Sequence, residues 1–153
     1  MTRKNAISLI LFLLAAILGV VGYKLASLRA IKAGLTLPVS ACDPALGDCT
    51  ATLPGGGKIE LSFSPRPIRP LQAFEARLTV RDAEVRSAEI DFEGTTMKMG
   101  YHRPRFDLVN GSYRAEAILP VCLTGTMQWT ATVLLDTPAQ TIAIPFHFEV
   151  LGH

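Results

Sequence analysis

From Lys58 to the C-terminus, apolar side chains recur at every second position, and this period of two restricts the fold more than any other feature. Ile59, Leu61 and Phe63 are separated by single polar residues. Phe74, Ala76, Leu78 and Val80 alternate with Glu75, Arg77 and Thr79, and Ala88, Ile90 and Phe92 alternate with Ser87, Glu89 and Asp91. Further on, Met127, Trp129, Ala131, Val133 and Leu135 share one phase, as do Ile142, Ile144, Phe146, Phe148 and Val150. In an extended chain neighbouring side chains point to opposite faces, so each run lays an apolar stripe on one side of a strand.

Turn chemistry separates these runs. Pro54 and the glycines Gly55, Gly56 and Gly57 divide Thr50–Leu53 from Lys58–Ser64 and predict a hairpin. Asp82-Ala83-Glu84 reads as a second turn, and Asn110-Gly111 precedes a strand over Tyr113–Leu119. The match of Asn110-Gly111-Ser112 to a glycosylation sequon is better explained as this turn. Residues 65–70 read PRPIRP, three prolines in six positions, which suits an extended edge or crossover. The expectation is an all-β, immunoglobulin-like or cupredoxin-like antiparallel β-sandwich of about seven strands over residues 50–153, with no helix after residue 35.

The N-terminus is of another kind. Residues 6–23 (AISLILFLLAAILGVVGY) form an 18-residue run without a charge, near the length a helix needs to cross about 30 Å of hydrocarbon. A cleaved signal peptide fits the basic Arg3 and Lys4, but Lys24 follows the run at once and no small-x-small cleavage site is in register. Val39-Ser40-Ala41-Cys42 resembles a lipobox, yet it begins about fifteen residues beyond the apolar run, past three basic residues. An uncleaved single-span anchor over residues 1–35 therefore fits best, inserted in the bilayer through residues 6–23. Its helix would continue over Leu25–Leu35, and residues 36–49 would form a tether.

Charge divides along the same line. Five of the fifteen basic residues (Arg3, Lys4, Lys24, Arg29 and Lys32) precede Cys42, and all thirteen acids lie at or beyond Asp43. The remainder thus carries ten bases against thirteen acids, near −3. A mildly acidic folded part does not suit nucleic-acid binding, which requires a basic face. No nucleophile–base pairing, phosphate loop or paired carboxylates in an apolar setting occurs, so no enzyme is expected.

Three cysteines remain to be placed. Cys42 and Cys49 bracket DPALGD, and in an oxidising compartment this spacing reads as a local disulfide. A two-thiolate metal clip is the alternative, with no His or further Cys nearby to complete it. The disulfide reading and the short N-terminal tail together put the C-terminal part outside the cytoplasm. Cys122, the odd thiol, lies between Pro120 and Gly125, in a connection where it is either buried as a small hydrophobe or used.

Soft ligands gather between Thr96 and Trp129, which hold three of the four methionines and the only Trp. Thioether, imidazole and thiolate groups suit copper. Met97 and Met99 point the same way in an extended chain, and His102 follows three residues on. If the strand through Ile90 and Phe92 runs on unbroken, both methionines face outward; a bulge at Gly94 would turn them into the core. Met127 shares the face of Trp129 and is read as core. The candidate metal ligands are Met97, Met99, His102 and Cys122. Without a metal, Tyr101, Arg103 and Arg105 form a partner-contact patch. His147 falls on the outward phase.

The order Met-x-Met-Gly, Gly-x-Tyr, Gly-x-x-x-Trp, carried by Met97, Met99, Gly100, Gly111, Tyr113, Gly125 and Trp129, resembles the FixH/YtkA-like proteins of bacterial membranes. The resemblance covers residues 70–135. It implies a single-pass protein of the bacterial inner membrane with its C-terminal domain in the periplasm, linked to copper supply. In the FixH case that supply serves assembly of a haem–copper terminal oxidase, so a copper carrier or an oxidase subunit is the implied partner. The chain departs from the pattern at Cys122, where such proteins tend to carry methionine, and in its Cys42/Cys49 loop.

Overall fold

The computed structural model describes residues 13–20, 34–95, 102–120 and 125–151. The chain divides into two units, Met1–Lys32 and Ala33–His153. In the first, residues 13–20 are helical. Among the described residues no helix is long and apolar enough to cross a membrane; the rest of the 6–23 run lies outside them.

The second unit is a two-sheet β-sandwich. Its strands are β1 (Leu35–Thr36), β2 (Cys49–Thr52), β3 (Lys58–Ser64), β4 (Ala73–Arg81), β5 (Ser87–Gly94), β6 (Asp107–Val109), β7 (Ser112–Ile118), β8 (Thr126–Asp136) and β9 (Thr141–Leu151). One sheet has the order β1-β9-β8-β5 and the other β2-β3-β4-β7-β6. The long strands occur where period two is strongest, because each can bury one face whole. Ile59, Leu61 and Phe63 of β3 and Phe74, Ala76 and Leu78 of β4 meet Ala88, Ile90 and Phe92 of β5. The inward residues of β8 and β9, from Met127 to Leu135 and from Ile142 to Val150, complete the core. His147 is exposed, as its phase requires.

Four phenyl rings tie the sheets together. Phe63 stands edge-on to Phe74 at 5.3 Å and to Phe148 at 5.4 Å, while Phe92 meets Phe74 at 5.6 Å and Phe148 at 6.3 Å. Offset and edge-on pairs at such distances add to the stabilisation from burial alone.

Two hairpins follow from their turn residues. Asn110 and Gly111 take φ of 50° and 80° between the paired Val109 and Ser112, as a two-residue turn of the primed type requires. In the β2–β3 turn Gly55 and Gly56 have φ near +100°, and Gly57 passes so close to the β4–β5 turn that an added Cβ would lie 2.8 Å from Ala83 Cβ and Asp82 O.

Three features differ from expectation or decide between its alternatives. Residues 34–40, read as the end of a helix and a tether, instead run parallel to β9: Leu35 pairs with Ile142, Thr36 with Ala143, and Ser40 bridges Phe146. The backbone amides of Gly34, Leu37 and Ser40 donate to the carbonyls of Thr141, Ala143 and Pro145. The sandwich is therefore not wholly antiparallel, and the tether reading of residues 36–49 gives way to an edge strand followed by a stapled loop. Second, β5 has no bulge; its ladder with β8 runs unbroken to Gly94 opposite Trp129. Third, β6 occupies Asp107–Val109, a stretch with no alternation to announce it.

Candidate metal and partner site

The site is built at the end of the sandwich where β5 finishes and β8 begins. There the Thr95 amide and hydroxyl both donate to the Gln128 carbonyl at 3.0 Å, so the chain leaves β5 still anchored to β8. It is next described at His102, which pairs back against Phe92. Along residues 102–106 the Phe92, Ile90 and Phe106 amides donate to the carbonyls of His102, Pro104 and Ala88. This segment covers the outer edge of β5 before the chain crosses at the buried Phe106 to become β6 in the other sheet.

His102 is thereby placed against the phenyl cluster. Its ring lies 6.1 Å from that of Phe92, the planes tilted by 31°. The ring is partly buried, and its Nε2 is enclosed without a hydrogen-bond partner. A buried polar nitrogen left unpaired costs free energy, on the order of 1–3 kcal/mol. It is also a lone pair or N–H with nothing to meet among the described residues.

Arg103 and Arg105 separate in role. Arg103 Nη2 reaches Asp91 Oδ2 at 2.8 Å, with side-chain exposures of 15% and 24%. That ion pair holds the 102–105 segment to the outward face of β5. Arg105 bridges Glu89 through the backbone and its side chain is exposed. Of the three residues read as a partner patch, Arg105 is thus the exposed one among those described. Tyr101 lies outside the described residues.

The second segment leaves from the same end. Leu119 is buried, with its carbonyl accepting the Leu71 amide at 2.9 Å. The chain is next described at Gly125, which takes φ 67° and opens β8, where Thr126 pairs with Leu151. The flanks of the Met97/Met99 segment and of the Cys122 segment therefore converge on one end of the sandwich. Met97, Met99 and Cys122 themselves lie outside the described residues. Met127 is buried and serves the core.

Cys42 and Cys49 form the expected disulfide. Between them Asp43 organises the loop: its carbonyl accepts the Leu46 and Gly47 amides, and its Oδ1 accepts the Ala45 amide at 2.7 Å. Arg66 pairs with Asp48 across the loop mouth. Among the described residues no three His, Cys, Asp or Glu side chains gather as a metal group. A set built on thioethers is not of that kind.

Phe92 and Asp91 were not singled out from the sequence, although one packs on His102 and the other holds its neighbour. Their strand phase was legible; that the strand beside β5 would be residues 102–106 was not. No protein-family model matches the chain, and no curated protein matches it.

Proposed function

We propose that this protein is a membrane-anchored extracytoplasmic β-sandwich that binds or passes copper, possessing a soft site drawn from Met97, Met99, His102 and Cys122. The observation that carries the reading is the enclosed Nε2 of His102, unpartnered among the described residues, at the end of the sandwich where both remaining ligand segments attach. Borderline imidazole with thioether and thiolate is a donor set that favours copper over the hard cations. Bound copper would supply a soft Lewis acid; the protein's part is to hold the imidazole against Phe92, away from solvent.

The Cys42–Cys49 disulfide supports an oxidising compartment, and with residues 6–23 as anchor the reading becomes a single-pass inner-membrane protein facing the periplasm. The strand order β3-β4-β7-β6 against β9-β8-β5 supports an immunoglobulin-like form of the sandwich. A copper carrier or a terminal-oxidase subunit is the partner that a respiratory role would require.

The test is titration of the full-length chain in detergent with Cu(I) under anaerobic conditions, using a competing chelator. Wild type binds, and Met97→Ala with Met99→Ala weakens binding strongly. Equal affinity in that double variant removes those ligands from the site. The rival reading, an accessory subunit without metal, rests on the exposed Arg105. A partner that co-purifies despite chelation and the loss of both methionines supports the rival instead.

A further inference from the structure

The Cys42–Cys49 disulfide joins the two sheets. Cys42 lies two residues beyond Ser40, where the parallel seam on β9 ends, and Cys49 opens β2, the edge strand of the other sheet. The two sulfurs differ in access. Cys42 is partly exposed, whereas Cys49 is 0% exposed and belongs to the core.

The seam has little of its own to hold it. β1 pairs two residues with β9, and a single bridge at Ser40 follows. Leu37 is the seam side chain that packs against the core, and it is half-buried. So short a ladder recovers little against the conformational entropy of ordering residues 34–40. The seam therefore depends on having its far end already fixed, and the disulfide fixes it.

The loop between the cysteines is fastened independently. Asp43 accepts its three amides, Pro44 is fully buried, and Asp48 pairs with Arg66. Cys49 as a free thiol would remain a small apolar group in the core. Opening the bond thus acts on the seam and spares the sandwich.

We infer that the disulfide is a redox latch on the 34–40 seam, opened at Cys42 by a dithiol reductant. One thiolate of the reductant attacks Cys42 Sγ, the bond to Cys49 breaks, and Cys49 Sγ leaves and takes up a proton. The second thiolate then breaks the mixed disulfide, so the reductant departs as a disulfide and Cys42 as a thiol. With the seam released, the upstream chain leaves the sandwich at the loop, near the level of Phe146, and no longer at Gly34 beside Thr141, five residues back along β9. The latch is independent of copper.

Hydrogen exchange of the full-length chain in detergent, before and after dithiothreitol, tests this. Reduction should abolish protection of the Leu37 and Ser40 amides while β3 and β8 stay slow to exchange. Cys42→Ala with Cys49→Ala should show the open pattern throughout, with no response to reductant. Glutathione, a monothiol, should leave its mixed disulfide on Cys42. Seam protection that survives reduction overturns the inference, as does a bond that the dithiol leaves intact in the folded chain. Exchange of β3 and β8 as fast as the seam would show that the bond holds the whole fold, and glutathione on Cys49 would overturn the point of attack.

Discussion

The imidazole of His102 lies beside the ring of Phe92, 6.1 Å between centroids, and its enclosed Nε2 has no hydrogen-bond partner among the described residues. The two residues come from segments joined across a strand pairing, so the contact is fixed by backbone hydrogen bonds on either side of it. A purely structural residue here would be better served by a phenyl or a leucine.

Replacement His102→Phe separates structure from function on this point. The phenyl keeps the packing on Phe92 and removes an unsatisfied buried nitrogen, so stability should hold or rise by about 1 kcal/mol. Cu(I) affinity should fall. Chemical denaturation and chelator competition read the two effects, and a clear loss of stability would show that the imidazole nitrogen is needed by the fold.

Phe92 itself sits among Phe63, Phe74 and Phe148 with no room to collapse. Phe92→Ala should cost roughly 3–5 kcal/mol in urea or guanidinium unfolding. Metal binding should weaken too, since the wall behind His102 goes with it.

Removal of the disulfide by Cys42→Ala with Cys49→Ala frees a loop of sequence separation seven. Loop-closure entropy for so short a ring predicts a loss of about 2 kcal/mol. The midpoint of denaturant unfolding, with and without reductant, measures it: wild type should respond to reductant and the double variant should not.

Gly57→Ala tests the opposite end. An added methyl meets the Asp82 carbonyl and the Ala83 side chain, so the β2–β3 and β4–β5 turns must separate, at about 1–3 kcal/mol. Cu(I) affinity should be unchanged, because His102 and the flanks of both remaining ligand segments lie at the other end of the strands.

The strands that show plainly in the sequence are those that bury one face along their whole length. Ile59–Phe63, Phe74–Val80, Ala88–Phe92, Trp129–Leu135 and Ile142–Val150 were all legible because period two is imposed by the core itself. The disulfide was legible from its spacing together with the expectation of an oxidising compartment. What stayed hidden are pairings of few residues and long separation: two residues of β1 beside β9, three of β6 beside β7, and the covering segment 102–106. Pro104 contributes only a carbonyl there, and Phe106 marks a change of sheet, so no periodicity can build up. The Gly94 question could not be answered from residue types, since glycine fits a straight ladder as readily as a bulge. For the site, residue chemistry named His102, but its neighbour Phe92 and the clamp of Arg103 on Asp91 depend on which strand covers the β5 edge.

The parallel seam of residues 34–40 along β9 has a mechanical meaning. A force drawn along the strand axis at Gly34 would load the bonds from Gly34, Leu37 and Ser40 together in shear. His102 stands at the level of Phe146, five residues further along β9 than Thr141, on the order of 16 Å from the point of loading. Tension on the N-terminal chain is therefore borne by the seam before it can disturb the imidazole.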